Sequence, residues 1–232
     1  MVRYVLVLVL ICLTFGLCTT KSFASNKSGP LAVIELIPHP GGTAMMTVRA
    51  RVKDHEGLFI FDTGGGVSYL SPSFAQSVGC KPWGQITGFM LTGQRLDMPR
   101  CDGFAFDIQD QHFAAPIFGV YDLMKFMPPN VPRIDGSIGL DVLAGRAITL
   151  SLTQKTLIVE SAASLAARTK ISKEVPIRLV REAGGIALAV EVAVPTPEGM
   201  AWMELDSGNG GATVIGKHLA ALLKLDPSKK EP

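Results

Sequence analysis

The sequence predicts a mainly β protein built from a duplicated unit whose second copy is unfinished. Three observations predict it. Short alternating apolar segments are bounded by glycine and proline. Residues 41–62 return in altered form as residues 184–206. Each copy ends on aspartate, a hydroxyl residue and glycine. With 232 residues, the chain is long enough for one large domain or two small lobes with a core.

The N-terminus reads as a targeting segment. Arg3 precedes an apolar run over residues 4–18, and Ser22-Phe23-Ala24 gives a small-x-small ending. Cleavage after Ala24 and export, periplasmic or secreted, are expected. A retained anchor is the weaker alternative, because the run is short for a span. No stable membrane span is expected after cleavage. Loss of residues 1–24 removes Arg3 and Lys21 and no acid, leaving 20 cations against 20 carboxylates. That balance offers nothing to attract nucleic acid or an anionic membrane.

Cys80 and Cys101 remain of four cysteines. In an oxidising compartment they can form a disulfide closing a loop of about 20 residues, which stabilises by roughly 3 kcal/mol in the chain-entropy model. Two separate buried thiols are the alternative. His39, His55, His112 and His218 are scattered, and neither HxxH nor CxxC occurs, so no metal and no cofactor is expected.

Along the chain, residues 41–62 read GGTAMMTVRARVKDHEGLFIFD and residues 184–206 read GGIALAVEVAVPTPEGMAWMELD. Each is a hairpin pattern that starts on Gly-Gly, turns near Glu-Gly and enters a second apolar strand. The endings are Asp62-Thr63-Gly64 and Asp206-Ser207-Gly208. One such tripeptide is weak evidence, on the order of 0.1 per chain of this length from ordinary composition. Two that close similar hairpins are much harder to reach by chance. Between the copies, Ser71-Pro72 reads as a helix cap followed by a short helix. Residues 84–100 read as a glycine-bearing hairpin. FAFDI and HFAAPIFGV read as strands, residues 128–133 as a stiff loop, and 147–160 as another hairpin. Residues 161–174 read as a polar, alanine-rich linker or a helix turn, and the second unit begins near Val175. Met45, Met46, Met90, Trp83 and Trp202 read as packing residues. Phe104 and Phe106 alternate as strand residues should.

The paired D-T-G and D-S-G endings, with I-D-G-S-I-G-L at 134–140, resemble aspartic peptidases of the pepsin and retropepsin type, most nearly the exported, bacterial-type, two-lobed members. The resemblance covers roughly residues 40–160, and 184–225 as the opening of a second lobe. It implies acid-protease β-barrel lobes: an N-terminal lobe over 25–160, the linker 161–174, and an incomplete C-terminal lobe over 175–232. It implies a dyad of Asp62 and Asp206 that activates water for hydrolysis of a peptide or protein substrate. Thr63, Gly64, Ser207 and Gly208 would support it, and a flap around Gly88 and Phe89 would close over substrate. Two carboxylates that cannot comfortably both ionise share one proton and serve as base and acid in turn.

Two departures stand out. Gly65 and Asn209 follow the tripeptides where the family commonly has serine or alanine. Only 26 residues follow Asp206, whereas 77 separate Asp62 from Gly139, so the second lobe reads as truncated. Unpaired strand edges would invite association, and a retropepsin-like homodimer pairing two copies of Asp62 stays open. So does a non-catalytic exported domain that binds peptides. A phosphate loop like those of actin-like and sugar-kinase proteins is weaker, because the helices between such loops are missing and no GxxxxGK[ST] occurs. Turn aspartates that cap local N–H groups account for one motif but poorly for two.

Overall fold

The computed structural model describes residues 29–41, 44–90, 93–209 and 213–226. The expected signal segment lies outside the described residues. In chain order the elements are β1 (Ala32–Glu35), β2 (Ile37–Pro38), β3 (Met46–Val52), β4 (His55–Phe61), β5 (Tyr69–Leu70) and α1 (Pro72–Ser77). Next come β6 (Trp83–Phe89), β7 (Arg95–Asp102), β8 (Ala105–Ile108), β9 (Gln111–Ala114), β10 (Ile117–Val120) and β11 (Gly136–Ile138). The chain continues through β12 (Ile148–Ser151), β13 (Thr156–Val159), α2 (Ala162–Thr169), β14 (Ile177–Glu182), β15 (Ala187–Thr196), β16 (Gly199–Glu204) and α3 (Lys217–Leu222). The fold is mainly β, as the alternation predicts.

Strands 2–11 form one large sheet in the order β6-β7-β10-β5-β11-β4-β3-β8-β9, with β2 on β3. β1, β13 and β12 form a three-stranded sheet, and β14, β15 and β16 form another. The two sequence copies are both hairpins. β3 pairs β4 with Val52 opposite His55, and β15 pairs β16 with Thr196 opposite Gly199. Period-two patterning sets the faces: Val48, Ala50 and Val52 are buried while Arg49 and Arg51 point to solvent. The core fills around Phe59, Phe106, Phe113 and Phe118, all fully buried. Phe59 and Phe118 each meet Phe106 edge-to-face at 5.0 Å, a geometry worth about 0.5–1.5 kcal/mol per pair beyond burial.

α1 begins as its sequence signals. Ser71 Oγ accepts the Phe74 N–H at 3.3 Å, Pro72 takes the first helical position, and Phe74 packs edge-on to Phe59. The Cys80–Cys101 disulfide joins the chain just after this helix to β7, with Cα atoms 5.9 Å apart. β11 runs between β4, which it meets in parallel, and β5, which it meets antiparallel. Only glycine fits at Gly136: its φ is +153°, and a Cβ there would overlap the Tyr69 carbonyl oxygen.

Several expectations need correction. HFAAPIFGV is not one strand; it breaks between β9 and β10 at Ala115-Pro116, where proline removes a ladder donor. The linker contains α2, held by a capping box. Ser161 Oγ accepts the Ser164 N–H at 3.1 Å, and Ser164 Oγ accepts the Ser161 N–H at 2.9 Å. Ser161→Ala is therefore expected to lower stability by about 1 kcal/mol, read as a lower midpoint in urea unfolding. Trp83 is no core residue: it is 45% exposed, donates to Asp102 at 2.9 Å and stacks beneath the Arg100 guanidinium. Met90 faces the cleft described below rather than the core.

Candidate active site

The two aspartate turns meet. Asp62 directly follows β4, whose last three residues are buried, and Asp206 stands two residues after β16, of which only Ala201 is buried. The Asp62 N–H donates to the Ile138 carbonyl at 3.0 Å, which ties the first turn to β11. Asp62 Oδ1 accepts the Gly64 N–H at 3.0 Å, and Asp206 Oδ1 accepts the Gly208 N–H at 2.7 Å. The same local hydrogen bond thus recurs at the same position of each copy.

The hydroxyl residues brace one turn against the other. The Thr63 N–H donates to Ser207 Oγ at 3.1 Å, and the Ser207 N–H donates to Thr63 Oγ1 at 3.0 Å. Each hydroxyl then donates onward to the strand before the opposite turn, Thr63 Oγ1 to the Leu205 carbonyl at 2.5 Å and Ser207 Oγ to the Phe61 carbonyl at 3.1 Å. Four hydrogen bonds, two from each side, span the interface. The glycines are needed for closeness. A Cβ on Gly64 would sit 2.7 Å from Asp206 Oδ1, and one on Gly208 would sit 2.7 Å from Asp62 Oδ2. Each carboxylate lies over the other turn's glycine. The bare turn therefore answers a steric demand, because any side chain would push the carboxylates apart.

This arrangement shapes the electrostatics. Burial first, and then the neighbouring Asp206 carboxylate, raise the Asp62 carboxyl to about 6, against the downward pull of the Gly64 N–H. Two acidic groups held together in low dielectric favour a state that keeps a proton.

A cleft of about 390 Å³ lies against the first turn. Gly64, Gly65, Gly66 and Val67 line its floor. Ile86, Gly88, Phe89 and Met90 come from the β6–β7 hairpin, and the sheet β14–β16 supplies the facing wall. Both flap residues expected from sequence, Gly88 and Phe89, border this cleft; residues 91 and 92 lie outside the described residues. Among the described residues no group of His, Cys, Asp and Glu is arranged to hold a metal ion.

Sequence reasoning missed the buried carboxylate of Asp141. Asp141 accepts the Ser68 N–H at 3.0 Å and the Ser68 hydroxyl at 2.7 Å, while Ser68 Oγ accepts the Gly139 N–H at 2.9 Å. This triad locks the strand leaving the first turn to the segment after β11. Burial holds the Asp141 carboxyl above its ordinary range. Its signal in sequence is an acid inside the apolar run IGLDVL. Also missed were Glu182, Glu191 and Glu204, on the cleft-facing side of the second sheet.

Among solved structures, the chain is similar to a retropepsin-like aspartic protease from Rickettsia conorii, at 16% identity over 55% of this chain and 86% of that one, with a TM-score of 0.34. It is similar to Basic 7S globulin from soybean, at 10% identity over 74% of this chain and 62% of that one, TM-score 0.45. It is also similar to conglutin gamma, a basic 7S globulin from lupine seeds, at 9% identity over 72% and 59%, TM-score 0.42. The chain spans less than two thirds of the length of either seed globulin. No protein-family model matches the chain, and no curated protein sequence does.

Proposed function

We propose that the protein is an aspartic endopeptidase that uses Asp62 and Asp206 as a one-proton pair. The observation that carries this reading is the reciprocal seating of each carboxylate over the opposite glycine, braced by Thr63 and Ser207. A water between the carboxylates gives a proton to the ionised member as its oxygen attacks the peptide carbonyl carbon. The protonated member gives its proton to the carbonyl oxygen. In the second half the pair returns a proton to the amide nitrogen, the hydroxyl proton of the tetrahedral intermediate returns to the pair, and the C–N bond breaks. The β6–β7 hairpin covers the cleft and limits solvent during this sequence.

Export after removal of residues 1–24 belongs to the same proposal. It is supported by the apolar run at residues 4–18 and by the Cys80–Cys101 disulfide, which suits an oxidising compartment.

The test is digestion of a mixed peptide library by the purified protein from acid to alkaline pH. Cleavage is expected to hold up to about pH 6 and then fall roughly tenfold per further pH unit, as the shared proton is lost. Peptides that bind but stay uncut at every pH overturn the catalytic reading and leave a peptide-binding cleft.

A further inference from the structure

The cleft bordered by the glycines of the first aspartate turn has two unlike walls. On the side of the first unit it presents apolar groups: Val67, Ile86, Phe89, Leu96 and Met98. On the side of the second unit it presents one face of the sheet β14–β16. Residues 187, 189 and 191 of β15 lie on that face by strand alternation, as do Glu182 and Glu204 by register with Ala187 and Glu191. Ala187 and Ala189 are small and leave room, and Glu182, Glu191 and Glu204 stand around them. Among the described residues no lysine, arginine or histidine lines this cleft.

We propose that the cleft selects peptides carrying a lysine or arginine side chain beside the bond to be cleaved, with Glu204, Glu191 and Glu182 as its specificity-determining residues. This rests on the reading that the cleft is the substrate site. The placement carries the assignment: the acidic wall is continuous with the floor formed by Gly64–Val67, so a side chain flanking a bond at the aspartates reaches it. The apolar wall opposite would take an uncharged neighbour or the methylene stem of the cation.

The acids also crowd one another without an ion-pair partner among the described residues. Glu191 and Glu204 are direct register partners, a like-charge pairing that is destabilising on a sheet. Neither they nor Glu182 form an ion pair with any described cation. Arg178, in register with Glu191, instead stacks its guanidinium on Trp202 at 3.7 Å. The crowding is felt at Glu204, whose carboxyl is pushed up to about 7 by burial, then by Asp206, Asp62, Glu182 and Glu191. A cationic side chain among these groups would offset their repulsion. Fixed local errors of this kind are tolerated where function uses them.

The test compares three peptides identical except at one position, which carries lysine, norleucine or glutamate. Binding is read by fluorescence anisotropy on Asp62→Asn protein at pH 8 and low salt, and cleavage is read on the unaltered protein. The lysine peptide is expected to bind at least tenfold tighter than norleucine, and norleucine tighter than glutamate, with the spread shrinking in 0.5 M salt. The double variant Glu191→Gln, Glu204→Gln should bring lysine and norleucine within about threefold. Equal binding of lysine and norleucine, or a preference the double variant leaves intact, overturns the proposal. If that variant does not fold, the ranking of the three peptides and its salt dependence on otherwise unaltered protein decide. Lysine-selective binding with no cleavage of any peptide would instead remove the catalytic reading and leave this one standing.

Discussion

Asp62→Asn is expected to lower peptide hydrolysis by about 10³–10⁴-fold and to leave the protein folded, and Asp206→Asn is expected to do the same. The asparagine amide keeps the shape of the carboxyl and can still accept the Gly64 N–H, which Asp62 Oδ1 accepts at 3.0 Å. It cannot take a proton from water. The two variants should be about equally impaired, because each removes one half of a pair that works by exchanging a proton. A chain that relied on two copies of Asp62 brought together by dimerisation would lose activity with Asp62→Asn and keep it with Asp206→Asn. Stability supplies a readout that does not depend on substrate. Folding raises the Asp62 carboxyl from an ordinary 3.8 to about 6, so the folded chain holds this proton more tightly than the unfolded chain. The resulting stabilisation is full below about pH 4 and is lost as pH rises through about 6. Asparagine does not titrate, so Asp62→Asn should show a flatter dependence of Tm on pH between 4 and 7. An unchanged slope would mean that Asp62 does not feel its partner as the geometry implies.

Much of this architecture is legible in sequence because it is local. The hairpins β3–β4 and β15–β16 announce themselves by alternation and by glycine at the turn. The cap of α1 is three residues of chemistry. The aspartate turns can be found because the same local solution is written twice. What distance conceals is pairing across space. Asp141 and Ser68 are 73 residues apart, and nothing near either names the other. The break at Pro116 follows a rule the sequence does carry, since a proline interrupts a strand's donors, yet the apolar run around it masks the signal. Trp83 shows a different limit. An aromatic residue on a hairpin can be satisfied by one arginine and one carboxylate at the surface, and composition does not distinguish that from burial. The acidic face of the second sheet is hidden for a third reason: Glu182, Glu191 and Glu204 sit on three different strands, and only register brings them to one face.

Removal of the hydroxyl brace is expected to have the second-largest effect. Thr63→Val keeps volume and branching but leaves the Ser207 N–H and the Leu205 carbonyl without their partner at the interface. Ser207→Ala does the same to the Thr63 N–H and the Phe61 carbonyl. A buried group left unsatisfied costs about 1–3 kcal/mol, so each single variant should lose roughly 2–4 kcal/mol in urea unfolding. The two hydroxyls share one network, so the double variant should lose clearly less than the sum of the singles. That non-additivity is the quantity to measure. Activity should fall as well, by about 10²-fold, because carboxylates held together by steric closeness alone drift by the ångström that such chemistry does not tolerate. Strictly additive losses would place the two turns in separate, uncoupled environments, and the reciprocal bonds between Thr63 and Ser207 could then not be what holds the aspartates face to face.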